Sequence, residues 1–186
     1  MLESGFYNMD CMEGMKEFPD GFFDLAIVDP PYGINAPKMS MGSCPNRKDN
    51  HGCGISAAER LRKERGRLNQ GSGKLKGRIL NQSDCSWDTN PPKEDYFREL
   101  MRVSKNQIIW GGNYFPLPPT RCIVVWDKIQ SWENFSQVEI AWTSFDRPAK
   151  IFRMGNCGAG KIHPTQKPVE LYQFLLGKFA GGACGF

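Results

Sequence analysis

The hydrophobic pattern is sharpest at Leu25-Ala26-Ile27-Val28, an unbroken apolar run bounded by Asp24 and Asp29. It is too short for a helix and reads as a strand buried on both faces. Pro30 and Pro31 follow directly and cannot donate to a sheet ladder, so the strand ends with Asp29 and Tyr32 at its carboxyl edge. In an open α/β sheet, ligands bind at that edge. Upstream, residues 5 to 10 read as a short first strand ending at Asp10. Met12, Met15 and Phe18 then recur at helical spacing before the stop at Pro19-Asp20-Gly21. Strand, helix, strand in that order predicts a βαβ unit.

Regular patterning resumes after Trp87-Asp88. Pro91-Pro92 opens a helix with Tyr96, Phe97, Leu100 and Met101 on one apolar face. Gln107 to Trp110 is a buried strand broken by Gly111-Gly112-Asn113-Tyr114-Phe115, and Cys122 to Trp126 is a third strand. Val138 to Phe145 and Ala149 to Met154 are two more, separated by the turn Asp146-Arg147-Pro148 and expected to pair antiparallel. A glycine-rich loop, Gly155 to Gly160, precedes Lys161 to Pro168. Pro168 stands where a first helical residue should, with Val169, Tyr172, Leu175 and Leu176 on the buried face. Trp110, Trp126 and Trp142 read as core, whereas Trp87, Tyr114 and Trp132 are candidates for a surface that faces a base.

Residues 33 to 85 differ in kind, being rich in Gly, Ser, Asn and basic residues. A stretch that long without clear periodicity is a basic insertion, functional or disordered. Charge strengthens that division. From Lys38 to Arg78, eleven Lys or Arg face three acidic side chains, a net +8, against +4 for all 186 residues, so the remainder carries −4. Such a patch suits a polyanion such as nucleic acid, and equally a solvated insert. The chain therefore reads as one domain spanning 1–186, with the insertion at about 33–85 as the candidate nucleic-acid-contacting segment.

No apolar run approaches the roughly 18 residues of a membrane span, and the N-terminus lacks a basic, then apolar, leader, so a cytoplasmic, intracellular protein is expected. The seven cysteines include no Cys-x-x-Cys pair and read as free thiols. His51, Cys53, Cys44 and Cys85 match no standard zinc spacing, and no metal is expected.

At the edge of the first strong strand, the Asp29 carboxylate and the Pro30 carbonyl are adjacent acceptors, and Tyr32 supplies a flat ring. Two acceptors beside a ring can grip the exocyclic amine of a base flipped out of its helix. An ordinary Asp-Pro turn is the competing reading.

Asp29-Pro30-Pro31-Tyr32 after four apolar residues resembles the catalytic motif of the amino-methyltransferases that modify adenine N6 or cytosine N4 in DNA with S-adenosylmethionine. His163-Pro164-Thr165-Gln166-Lys167-Pro168-Val169-Glu170-Leu171 resembles the stretch that opens the helix before the cofactor-binding strand, in members whose catalytic motif comes first. The resemblance implies an α/β, Rossmann-like, mostly parallel methyltransferase sheet. It also implies site-specific methylation of double-stranded DNA with a flipped target base, by a bacterial or phage-encoded enzyme.

By that resemblance Asp29 and Pro30 accept from the target amine, Pro31 stiffens the loop and Tyr32 stacks on the base. Asp10 matches an acidic residue near the cofactor's adenine, and His163, Pro164, Thr165, Gln166, Lys167 and Pro168 border its methionine end. Asp before Pro-Pro-Tyr leans toward adenine. The resemblance implies direct transfer, without the cysteine nucleophile that cytosine C5 methylation requires. Family members continue with a strand and a glycine turn that wraps the cofactor, whereas here the sequence ends at Gly181 to Phe186. The expectation is a sheet incomplete at its C-terminus, with a homodimer or a completing chain as partner. The alternative function is a truncated, catalytically silent fragment that binds nucleic acid. RNA as the substrate stays open.

Overall fold

The computed structural model describes residues 3–34, 88–130, 136–155 and 165–181. Residues 35–85 of the basic insertion, His163, Pro164, Trp87, Trp132 and the histidine and cysteines weighed as zinc ligands lie outside the described residues. Among the described residues, helix α1 spans Cys11–Lys16, strand β1 Ala26–Val28, helix α2 Glu94–Val103 and strand β2 Gln107–Trp110. Strands β3 Ile123–Asp127, β4 Val138–Thr143 and β5 Lys150–Arg153 follow, then helix α3 Val169–Leu175, prolonged by a π-helical turn over Leu176–Ala180.

The five strands form one mixed sheet in the order β1-β2-β4-β3-β5. β1 pairs parallel to β2, with Val28 opposite Ile109, and β3 pairs parallel to β5. β4 lies antiparallel to both neighbours, so four strands share one direction and β4 alone is reversed. This is an α/β fold compatible with a Rossmann-like arrangement. β4 and β5 do not pair with each other, because β3 lies between them.

The parallel β1–β2 pair fixes the layering. β2 alternates its side chains. Ile108 and Trp110 join Leu171, Leu175 and Phe179 on one face, while Ile109 packs with Phe97 and Leu100 on the other. α3 therefore covers one face of the sheet and α2 the other. Trp110, Trp126 and Trp142 are all buried, as their strand positions imply. The aliphatic side chains packed with them, such as Ile108 and Leu171, each stabilise the fold by about 1.5–3 kcal/mol on burial.

Several expectations are corrected. Residues 5 to 10 form no strand; Phe6 is fully exposed, and Asp10 instead caps α1, accepting the Met12 N–H at 2.8 Å. A strand at 5–10 would need a ladder partner, and the described sheet offers it none. The βαβ unit is thus β1–α2–β2, reached across the insertion. β1 is half-buried and stands at one end of the described sheet, with Leu25 and Ile27 packed toward one core cluster and Ala26 and Val28 toward the other. Pro168 is the N-cap of α3, one position earlier than expected. The buried face of that helix is Leu171, Leu175 and Phe179, whereas Val169 and Leu176 are exposed. No helix among the described residues is long and apolar enough to cross a membrane.

Candidate functional site

The carboxyl ends of β1 and β2 lie side by side, and both strands end there. After β1 come Pro30, Pro31 and Gly33; after β2 comes Gly111, which begins a single 3-10 turn over Gly112–Tyr114. Gly33 and Gly111 hold φ of +73° and +71°, where a side chain is strained. Space is also closed to them. A Cβ on Gly33 would come within 2.5 Å of Pro91, and one on Gly111 within 2.2 Å of the Tyr32 ring. The Gly33 N–H donates to the buried carboxylate of Asp88 at 2.8 Å. The Asp29–Gly33 loop is therefore pinned at its far end by Asp88 and under its aromatic ring by Gly111.

The centre of the site is a line of alternating charges. Lys167, with only 3% of its side chain exposed, donates to Asp29 Oδ2 at 2.5 Å and pairs with Glu139 Oε2 at 3.2 Å. The other Glu139 oxygen pairs with Lys128 at 2.7 Å. The Tyr32 hydroxyl donates to Asp29 Oδ1 at 2.8 Å and accepts from Lys167 at 3.3 Å. Aromatic faces complete the lining, with the Lys167 ammonium 5.2 Å from the Trp110 ring centre and 5.8 Å from that of Tyr32. A cation over such rings is attracted by their quadrupoles.

The electrostatics follow from burial and these neighbours. Burial, reinforced by the negative charges of Asp29 and Glu139, holds the Tyr32 hydroxyl far above the ordinary tyrosine range, so it stays a proton donor. Burial and the same two carboxylates push Tyr172 up to about 12. Burial alone would raise the Glu139 carboxyl, but Lys167 and Lys128 together outweigh it and hold that group below the usual glutamate value. Glu139 is therefore a carboxylate at neutral pH.

Asp29, Tyr32 and Lys167 meet although 138 residues separate the first from the last. Pro30 is buried beside them and Pro31 half-buried. Thr165, Gln166 and Pro168 lie beside Lys167 in the chain, and Pro168 is the N-cap of α3. Asp10 makes its described contact with α1, as the N-cap. Sequence reasoning missed Glu139 and Lys128. The available signal was a carboxylate inside the apolar strand Val138-Glu139-Ile140-Ala141-Trp142, which a strand tolerates only with a partner. Among the described residues no group of three or more His, Cys, Asp or Glu is arranged to hold a metal ion. Comparison with protein-family models, curated proteins and solved structures finds no match to this chain.

Proposed function

We propose that the chain is an S-adenosylmethionine-dependent methyltransferase acting on the exocyclic amine of adenine at N6, or of cytosine at N4, in double-stranded DNA. The observation that carries this reading is the Lys167–Asp29 contact, which joins two sequence-distant segments, each resembling a motif of that family, at the carboxyl end of a strand in an α/β sheet. A turn formed by chance at Asp29-Pro30 would have no reason to meet the second segment.

The residues present fit the cofactor at one point. The Nε1 of Trp110, whose ring adjoins the Lys167 ammonium, is a buried donor without a hydrogen-bond partner among the described residues, suited to an acceptor group of the cofactor. Thr165, Gln166, Lys167 and Pro168 would border the cofactor, which supplies, when bound, an electrophilic methyl group on a sulfonium.

Asp29 does the work of binding. A carboxylate offers about four acceptor positions, of which Tyr32 and Lys167 use two, and a third of the side chain is exposed. An amine N–H can therefore bond to Asp29 while the ion pair keeps the carboxylate oriented. Because the Tyr32 hydroxyl stays protonated, it steers Asp29 without competing as a base. The proton that the amine sheds after substitution passes to Asp29 or to water.

The alternative, a catalytically silent chain that only binds nucleic acid, is favoured by one observation: Lys167 already engages the acceptor meant for the amine. Calorimetric titration separates the two. Saturable binding of S-adenosylmethionine by the chain is expected. No cofactor binding together with salt-sensitive DNA binding would instead establish the silent reading.

A further inference from the structure

Tyr32 is held on nearly every side. Its hydroxyl is tied to Asp29 and Lys167, its ring meets Phe115 edge-on at 6.2 Å, and the Gly111 backbone packs so closely under the ring that a Cβ would fall at 2.2 Å. The broad contact that remains is made by Tyr114, whose ring lies at 13° to that of Tyr32 with centroids 4.9 Å apart. That is an offset parallel stack. Tyr114 itself is 46% exposed and stands at the end of the short 3-10 turn that starts from the left-handed Gly111. One ring of the pair is clamped, and the other is a surface side chain on a single turn.

We infer that Tyr114 is an intramolecular stand-in for the target base: it occupies the face of Tyr32 on which a flipped purine or pyrimidine must stack, and it leaves when the base arrives. This rests on the methyltransferase reading only for the identity of the ligand as a nucleobase. The stacked rings leave no gap for a third between them, and Gly111 packs directly against the Tyr32 ring, so a planar ligand reaches Tyr32 by taking the place of Tyr114. The consequence is a competition. Every base that binds must first replace a tyrosine–tyrosine stack of similar strength, which weakens its association and favours bases also gripped through their amine by Asp29. Tyr114 is thus a specificity-determining residue, one that makes stacking alone insufficient.

The test uses the full chain and 2-aminopurine riboside, whose fluorescence falls on stacking against an aromatic ring. Tyr114→Ala should bind this probe about three- to tenfold more tightly than the unaltered chain, the range expected for the loss of one competing aromatic pair. Tyr114→Phe, which keeps the flat ring, should bind it as the unaltered chain does, and Tyr32→Ala should bind it less. Thermal melting confirms that each variant folds. Tyr114→Leu, apolar but without a flat face, serves in place of Tyr114→Ala should the latter not fold. Equal or weaker binding by the ringless variant, or no binding by any variant, overturns the inference. Methyl transfer to DNA is scored separately. Tighter probe binding without methyl transfer would leave the stand-in and remove the reaction, and methyl transfer with unaltered probe binding would do the reverse.

Discussion

Residues 5–10 and residues 24–29 are similar on paper: each is a short stretch with apolar residues, and each closes on an aspartate. Their fates differ. The second becomes a strand because β2 lies parallel to it, because Ala26 donates to the Asn106 carbonyl at 2.9 Å, and because Phe23 bridges to Ser104 just before it. Its aspartate arrives at a sheet edge and meets Lys167. The first has no such neighbour in the described sheet; Phe6, Tyr7 and Met9 are exposed, and its aspartate starts a helix. A run of strand-like residues is thus a proposal that only a ladder partner completes. An acidic residue takes its role from that outcome.

Substitutions can break or sharpen this contrast, and the largest effect is expected at the supports of the second segment. Gly111→Ala must adopt φ near +71° and drive a methyl group into Tyr32. Conformational strain of about 1–2 kcal/mol and overpacking of about 1–3 kcal/mol together destabilise the fold by about 4 kcal/mol in urea unfolding. Next comes Lys167→Met, which leaves Asp29 and Glu139 without their shared cation. Removing one partner from a buried pair costs about 3–5 kcal/mol, and the partial exposure of the carboxylates places this case near about 3 kcal/mol. The first segment should respond far less. Asp10→Ala removes an N-cap and costs about 1 kcal/mol, and Phe6→Ala, a fully exposed site, should fall within about 0.5 kcal/mol of no change. A loss above about 2 kcal/mol at Phe6 would show that residues 5–10 are packed after all, and the contrast would fail.

The parts of the fold legible in the sequence were those with a short-range cause. Gln107 to Trp110, Cys122 to Trp126 and the segment after Val138 show as strands because buried ladders demand apolar runs between turn residues, and the observed strands fall there. α2 was legible from its spacing, though its buried face is Phe97, Leu100 and Val103, rotated away from Met101. Strand order could not be read, since β3 and β4 pair across a loop while β5 joins the far side of β3. No local pattern encodes that choice. At the site, Asp29, Tyr32 and Lys167 are legible from the motifs that contain them. Glu139 and Lys128 were not, because an ion pair formed between strands has no spacing in the sequence. Tyr114 could be marked as a surface aromatic, but its stack on Tyr32 depends on the neighbouring ends of β1 and β2.

The central claim is that Asp29 and the residues gathered around it direct methyl transfer to an exocyclic amine. The direct measurement is mass spectrometry of nucleosides released from unmethylated duplex DNA, of mixed sequence, after incubation with the chain and S-adenosylmethionine. The expected products are N6-methyladenine or N4-methylcytosine, formed by the unaltered chain and absent with Asp29→Ala. Methylation at cytosine C5, equal product from Asp29→Ala, or cofactor binding without any methylated nucleoside would contradict the account.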